Sequence, residues 1–241
     1  MKVFILSPHI DDAAFGLALT ISECVRNSVE VTIINCFTIS RWTAIAVDNK
    51  EISAVSRMRK KEDTIFYRSI DPSISILNLD LLDAPLRNGY IFQEQSFQQN
   101  EIELIDELHG LLQQHVHGLL FCPVGIGYHI DHAICRAAVL KSYKDQEVIF
   151  YEDLPYAERI TETELTSYIQ GLEDELSVSL TNDTCYINEN SVKKIELIHL
   201  YKTQMNEEIA NEIHRRLNTL QGERFWGEKK ILTLLKEVLK N

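Results

Sequence analysis

The chain has 241 residues, of which 45% are hydrophobic and 25% are charged, and its formal net charge is −12 at pH 7. This hydrophobic content is enough for a sizeable core and excludes a disordered chain. The negative charge, which no long run of Lys or Arg offsets locally, argues against binding to the phosphate backbone of a nucleic acid. No apolar segment reaches the roughly 20 residues that a membrane-spanning helix needs.

The N-terminus and the cysteines favour a cytoplasmic protein. Residues 2–6, KVFIL, read as a strand, where a signal peptide would have a basic region before its apolar core. The five cysteines are odd in number and scattered, with no CxxC pair, so we expect small buried thiols in a reducing compartment. No Pro/Gly/Ser-rich linker or internal repeat divides the chain, and we expect one domain over residues 1–241.

The first two thirds of the chain alternate apolar β-branched runs with amphipathic segments. Strands are predicted at residues 2–6, 30–38, 73–79, 117–125 and 147–153, and helices at 17–27, 51–70, 97–115 and 132–144. This alternation is typical of βα units and predicts an α/β fold with a mostly parallel sheet.

Beyond Pro155 the pattern changes. Residues 161–187 mix a short helix with possible antiparallel strands, whereas residues 189–205 and 228–239 have the apolar spacing of helices. The aromatic residues of ERFWG are expected to pack ahead of the last helix. We expect this C-terminal third to cover one edge of the same sheet.

Two clusters of His and Asp follow predicted strands. SPHIDD, at residues 7–12, comes after the first strand, and HIDH, at residues 129–132, comes after the fourth. Ligands of open parallel sheets bind at the carboxyl ends of the strands, so both clusters are expected at one rim. Their nitrogen and oxygen donors suit a catalytic zinc, which takes three protein ligands and leaves one position for water. His9, Asp12 and His132 would make such a set.

Each cluster also has an ordinary structural interpretation. A histidine at a strand end is often a satisfied core residue, and Asp11 or Asp12 could simply cap the helix that follows. A dinucleotide-binding turn is disfavoured because GxGxxG is absent after the first strand, and GIG at residues 125–127 reads as a tight turn near a ligand. Six such residues at equivalent positions of two strands favour the metal site.

PHIDD and HIDH resemble the two motifs of the PIG-L (LmbE-like) family of zinc-dependent N-deacetylases. Other segments, in the same order, resemble the branch of the family that carries SPHxDDA. These segments are RKKED, LLDAPLR, CPVGIGYHIDH, FYEDLPYA and ERFWG. The resemblance implies a Rossmann-like three-layer sandwich, a metal site at the carboxyl ends of the strands, and Zn²⁺ as cofactor.

The resemblance also implies a role for each motif residue. The implied metal ligands are His9, Asp12 and His132. Asp11 matches the general base, and His129 matches the histidine that stabilises the oxyanion and can protonate the leaving amine. Asp131 matches a carboxylate that orients a motif histidine.

Four further residues near the predicted rim are expected to contact substrate. They are Arg59, Arg87, Tyr128 and Glu152. Arginines there would hold a phosphate or carboxylate, and a carboxylate would hold sugar hydroxyls or an amine. Each also has an alternative as a loop hydrogen-bonder or helix cap, and Arg59 with Glu62 would equally form a surface ion pair at i,i+3.

Amide hydrolysis needs an activated water, a stabilised oxyanion and a proton for the departing nitrogen, and the two motifs hold groups for each task. The expected function is a zinc-dependent N-deacetylase of an N-acetylated amino sugar or glycoconjugate in a biosynthetic pathway. The alternatives are hydrolysis of an amide in a peptide or other small metabolite, and a non-catalytic carbohydrate-binding protein on the same fold. Ile10 replaces the family's usual proline, which loosens the turn but leaves every polar atom in place. Ala13 replaces its usual glutamate, which leaves the substrate open, and the oligomeric state is open too.

Overall fold

The computed structural model describes residues 1–48, 50–92 and 96–239. Its parallel strands are β1 (Lys2–Ser7), β2 (Glu30–Asn35), β3 (Ser75–Asn78), β4 (Leu119–Pro123) and β5 (Val148–Tyr151). Two more strands, β6 (Thr181–Tyr186) and β7 (Gly222–Gly227), are antiparallel: β7 pairs with β5, and β6 pairs with β7. All of these strands form one sheet in the order β3-β2-β1-β4-β5-β7-β6.

Helices flank this sheet. They are α1 (Asp12–Arg26), α2 (Ile52–Ile70), α3 (Ala84–Arg87), α4 (Gln99–His115), α5 (Ile130–Leu140), α6 (Glu162–Leu176), α7 (Lys194–Ile198), α8 (Glu207–Leu220) and α9 (Lys229–Val238). The predicted α/β fold with a mostly parallel sheet is therefore confirmed. None of these helices, within the described ranges, is long and apolar enough to cross a membrane.

Strands β1 and β4 lie side by side at the centre of the sheet. Val3 pairs with Leu119 and Ile5 with Phe121, and all four side chains are buried. Such continuous apolar runs are typical of strands that helices cover on both faces. The chain moves outward from β1 to β2 and β3 on one side, and from β4 to β5 on the other. The ligand-binding crevice of such a sheet opens where the order reverses, at the ends of β1 and β4.

Helix α1, which follows β1, is interrupted at Leu17, where φ is −134° and ψ is 20°. The carboxylate of Glu223, on β7, accepts hydrogen bonds from the backbone N–H groups of Leu19 and Thr20, each at 2.9 Å. It therefore caps the second half of the helix. Lys194 donates to the same carboxylate at 2.7 Å, and both charged side chains are buried. The C-terminal part of the chain thus completes the helix that begins in the first motif.

The C-terminal third differs from the prediction because it extends the sheet instead of only covering its edge. ERFWG forms most of β7, where Phe225 lies 5.8 Å from Phe121 between ring centroids. Residues 189–205 were expected to be helical, yet only the short α7 forms there. The chain then turns through Tyr201–Met205, and the next helix starts where the Asn206 side chain accepts the N–H of Ile209 at 2.9 Å.

Candidate active site

The ends of β1 and β4 bring the three predicted metal ligands together. Asp12 Oδ2 lies 3.2 Å from His9 Nδ1 and 3.2 Å from His132 Nε2. Two ligands of one tetrahedral zinc ion are about 3.3 Å apart when each bond is about 2.0 Å long, so these separations suit a shared ion. His132 Nε2 is buried and has no hydrogen-bond partner among the described residues. When the His132 ring is neutral with its proton on Nδ1, the lone pair of Nε2 is available for a cation.

Local backbone contacts fix the turn that carries SPHIDD. Asp12 Oδ2 accepts the backbone N–H of His9 at 2.7 Å, and Ser7 Oγ accepts the N–H of Ala13 at 3.0 Å. Ile10, which stands where the family motif has proline, is fully buried in the core. The turn is therefore held by hydrogen bonds and packing, and it does not need a proline ring.

Asp131 contacts the His9 nitrogen that is not directed to the shared ligand position. Its Oδ2 lies 3.0 Å from His9 Nε2 and also accepts the N–H of Ala84 at 2.9 Å. Its Oδ1 accepts a hydrogen bond from Arg87 at 2.7 Å. A carboxylate in this position fixes the ring orientation and leaves the other nitrogen, Nδ1, directed to the shared position. His9 comes from the first motif and Asp131 from the second, so the two motifs depend on one another.

Asp153, at the end of β5, holds His132 in the same way. Its Oδ1 lies 2.6 Å from His132 Nδ1, while its Oδ2 accepts the N–H groups of Gly125 and Ile126 at 2.8 and 3.0 Å. One buried carboxylate thus fixes an imidazole and the glycine turn after β4. Sequence reasoning missed this role and chose the neighbouring Glu152. The signal was the position of Asp153 at the end of a strand beside β4.

Asp11 lies next to the ligand set and beside Arg59. Its Oδ1 is 3.6 Å from Arg59 Nη2. Burial raises the pKa of the Asp11 carboxyl, and Asp12 adds to that shift, whereas the Arg59 guanidinium opposes it. A carboxylate with a raised pKa is a stronger proton acceptor, which is what a general base requires.

His129 caps the start of α5 with its side chain. Its Nδ1 accepts the backbone N–H of Asp131 at 3.2 Å, so the proton of the neutral ring lies on Nε2. Burial lowers the pKa of His129, and the rings of His9 and His132 lower it further. His129 is therefore a neutral hydrogen-bond donor. One nitrogen of each of these three histidines lies within 4.8 Å of the others, which gives a second possible ligand group.

A cavity of about 270 Å³ opens over these residues. Its polar lining consists of His9, Asp11, Asp12, Arg59, Asp83, His129, Arg159 and Gln204. Its apolar and aromatic lining consists of Phe15, Trp42, Pro85, Ile91, Phe92, Leu154, Pro155, Tyr156 and Ile209. Trp42 is 45% exposed and Phe92 is 52% exposed, so these rings stand at the mouth. The cavity thus combines the polar groups of the two motifs with apolar and aromatic walls, and two of its aromatic rings are exposed.

Of the four residues predicted to contact substrate, only Arg59 is part of this lining in the described ranges. Arg87 instead donates to Asp131 and to the carbonyl oxygen of Leu82, which makes it a support for the site. Tyr128 is 61% exposed and lines a separate groove, with its ring 5.3 Å from that of Tyr168.

Glu152 lies in a buried ion-pair network away from the cavity. Its carboxylate accepts hydrogen bonds from Arg216 at 2.7 and 2.8 Å and from Arg224 at 2.7 Å. Glu162 bridges the same two arginines. In this placement the negative charge of Glu152 is paired with two arginines within the fold.

Arg59 and Glu62, on one face of α2, do not form the surface ion pair that was the alternative interpretation. Arg59 is 2% exposed and Glu62 is 9% exposed. The Glu62 carboxylate accepts the backbone N–H of Thr203 at 3.0 Å and its hydroxyl at 2.7 Å. Glu62 therefore anchors the turn before α8 against the cavity.

Comparisons with solved structures show the same fold in several deacetylases. The zinc-inhibited form of teicoplanin deacetylase is 18% identical, with a TM-score of 0.69 over 94% of this chain and 97% of that chain. A40926 pseudoaglycone deacetylase is 18% identical, with a TM-score of 0.66 over 93% and 96%. N,N'-diacetylchitobiose deacetylase from Pyrococcus horikoshii is 19% identical, with a TM-score of 0.56 over 93% and 82%.

A sequence-family comparison is more specific. No curated protein matches the chain. The family model described as PIG-L, GlcNAc-PI de-N-acetylase, matches residues 4–143. That match spans more than half of the chain and includes both His/Asp clusters, which confirms the resemblance read from PHIDD and HIDH. The chain belongs to the PIG-L family.

Proposed function

We propose that this protein is a zinc-dependent N-deacetylase that hydrolyses the acetamide of an N-acetylated amino sugar or glycoconjugate in a biosynthetic pathway. The observation that carries the proposal is the position of Asp12 Oδ2, 3.2 Å from both His9 Nδ1 and His132 Nε2, beside a cavity that also exposes Asp11 and His129. Membership of the PIG-L family supports it.

The donor set fits zinc. Two imidazole nitrogens and one carboxylate oxygen are typical ligands of catalytic zinc sites, and the unpaired His132 Nε2 is the atom that such an ion would satisfy. His9, Asp12 and His132 would hold the ion. Zinc supplies polarisation of the amide carbonyl and lowers the pKa of bound water to about 7. The same donor set also accepts other divalent ions such as iron(II), so the metal must be measured.

Asp11 transfers the protons, and His129 stabilises the oxyanion. Asp11 accepts a proton from the attacking water, a task worth about 10²–10⁴-fold in rate for a well-placed base. The neutral His129 ring directs its Nε2–H at the carbonyl oxygen as negative charge develops there. The departing nitrogen then receives the proton that Asp11 took from the water, which returns Asp11 to a carboxylate and leaves His129 neutral throughout.

The shape of the cavity favours a glycoconjugate. Polar groups of the two motifs line the cavity beside the ligand set, where the acetamide would lie. The exposed rings of Trp42 and Phe92 line the entrance, and aromatic faces of this kind pack against sugar rings and apolar substituents. A non-catalytic carbohydrate-binding protein would need neither the proton acceptor Asp11 nor the neutral donor His129.

Metal content and acetate release together test the proposal. The purified protein is analysed by mass spectrometry for bound metals, then assayed on N-acetylated sugars, N-acetylated glycoconjugates and acetylated peptides, with and without a chelator. We expect about one zinc per chain and chelator-sensitive acetate release from the sugars or glycoconjugates. Release from peptides alone would support the peptide alternative, and absence of metal under zinc-replete conditions would overturn the proposal.

A further inference from the structure

Two buried polar atoms of the cavity residues lack a hydrogen-bond partner within the described part of the chain. They are Oε1 of Gln204 and Nε of Arg59. Gln204 is fully buried, Arg59 is 2% exposed, and both line the cavity. One atom is an acceptor and the other a donor. A buried group left unpaired costs about 1–3 kcal/mol, so such atoms in a ligand-sized cavity point to a ligand that completes them.

The orientation of the Gln204 amide is set by its neighbours. Thr203 has a single hydroxyl hydrogen, which it donates to the Glu62 carboxylate at 2.7 Å. Thr203 Oγ1 can then only accept from Gln204, and it lies 2.7 Å from Gln204 Nε2. The amide nitrogen is thus held towards Thr203, and Oε1 is left without a partner on a residue that lines the cavity. Both residues of the R-x-x-E pattern on α2 are therefore involved. Arg59 carries one of the two unpaired atoms, and Glu62 fixes the orientation of the Gln204 amide, which carries the other.

A hydroxyl group matches both requirements, because it donates one hydrogen bond and accepts others. Sugars present several hydroxyls around the carbon that bears the acylamino group, whereas the side chain of an acetylated lysine presents none. The unpaired acceptor and donor are therefore better matched by a sugar ring than by a peptide.

We propose that Gln204 determines specificity by accepting a hydrogen bond from a ring hydroxyl of the substrate. This inference rests on the proposed function and deepens it, because it assigns recognition of the amino sugar to the turn before α8. Glu62 and Thr203 act as positioning residues for Gln204.

The test compares wild type with Gln204→Met, which keeps the length of the side chain and removes the acceptor. The probes are the methyl glycoside of N-acetylglucosamine and its 3-, 4- and 6-deoxy analogues. Both kcat/KM and, by calorimetry, Kd are measured for each. We expect wild type to lose about tenfold on one deoxy analogue, and Gln204→Met to lose about tenfold on the parent glycoside and to treat that analogue and the parent alike.

Gln170→Met is the matched control, since Gln170 is exposed on α6 and bonds only to Asp174 in the described contacts. Its kcat/KM and Kd values for the four glycosides should equal those of wild type. Metal content and thermal unfolding are checked for each variant. If Gln204→Met fails to fold, the deoxy series on wild type still decides, because equal values for all four glycosides would overturn the inference.

The outcomes separate this inference from the proposed function. Binding that depends on one hydroxyl and on Gln204, without acetate release, would support the inference while the deacetylase proposal failed. Acetate release with parallel losses in wild type and Gln204→Met would overturn the inference and leave the deacetylase standing. Neither binding nor release with any of the glycosides would overturn the inference.

Discussion

The two ends of the chain contribute different things to one cavity. The ends of β1 and β4 supply the His and Asp side chains of SPHIDD and HIDH, whose positions follow from where parallel strands stop. The C-terminal third supplies support and contact: the Glu223 cap on α1 and the Gln204 amide beside Arg59. The strand ends thus bring the two motifs together, and pairs such as His9–Asp131 and His132–Asp153 orient their histidines, whereas the C-terminal third adds contacts from residues far away in the chain. Mutations in the two regions should therefore fail in different ways.

The largest effect is expected from removing a ligand. His132→Ala or Asp12→Ala should reduce bound zinc from about one per chain to near zero and abolish turnover, whereas His129→Ala should lose turnover and keep the metal. Metal analysis of dialysed protein checks this, with His214→Ala, at an exposed position of α8, as the control. Loss of metal from His129→Ala with retention in Asp12→Ala would instead place the ion among the three imidazoles.

The next effect concerns the general base. Asp11→Asn keeps the shape of the side chain but cannot take a proton, so kcat should fall about 10²–10⁴-fold while zinc content stays unchanged. Single-turnover acetate release on metal-loaded protein measures this. Activity close to wild type would show that another group accepts the proton.

Asp153→Asn tests the support behind His132. Loss of the carboxylate at 2.6 Å should weaken zinc binding about 10–100-fold, because the imidazole loses its orienting partner. Competition with a chromogenic chelator gives the affinity, and Asp174→Asn on the exposed face of α6 serves as a control. Unchanged zinc affinity would mean that Asp153 serves only the glycine turn.

A smaller effect is expected at the mouth of the cavity. Trp42→Ala and Phe92→Ala should each lower kcat/KM about three- to tenfold for N-acetylglucosamine glycosides with a long alkyl or aryl substituent, since part of an aromatic contact is lost. The methyl glycoside should be little affected. Equal losses on both kinds of glycoside would indicate that these rings shape the cavity and do not contact the substituent.

The last prediction concerns the pH dependence of stability, not activity, and a contact between α2 and the C-terminal third. Asp63, on α2, accepts hydrogen bonds from Tyr201 at 2.7 Å and Asn35 at 2.8 Å. Burial raises the pKa of the Asp63 carboxyl to about 7. Folding therefore takes up a proton between about pH 4 and pH 7, and the free energy of unfolding should fall as pH rises through that window, by at most about 1.4 kcal/mol per pH unit.

Asp63→Asn should remove this contribution. Urea unfolding at several pH values, compared with Asp174→Asn at an exposed position of α6, measures the slopes. Between pH 4 and pH 7, the free energy of unfolding should fall more steeply with rising pH for wild type than for Asp63→Asn. Identical slopes would show that Asp63 stays ionised in the folded protein.

The sequence predicts the parallel strands and the meeting of the two motifs because both depend on local patterns. It cannot decide which of two adjacent residues faces the site. Glu152 and Asp153 follow the same strand, but successive side chains point to opposite faces, so one meets Arg216 and the other meets His132. The sequence Glu-Asp alone does not show which of the two side chains will contact the site.

Gln204 shows a second limit. The apolar spacing of residues 189–205 predicts a helix, but the chain turns at Thr203 because Glu62 binds its backbone and hydroxyl across 141 positions of sequence. A contact between residues so far apart in the chain does not change the pattern of apolar residues within the segment. The same applies to β7, whose strand state depends on pairing with β5 and β6.

The interruption of α1 links the site to the order in which the chain is made. Proteins are synthesised from the N-terminus, and early segments begin to fold while later ones are still being added. The N–H groups of Leu19 and Thr20 are capped by a carboxylate that leaves the ribosome more than 200 residues after them. A nascent chain therefore carries SPHIDD on an incomplete helix until Glu223 has emerged, so the newly made protein acquires its finished reactive centre only at a late stage of translation.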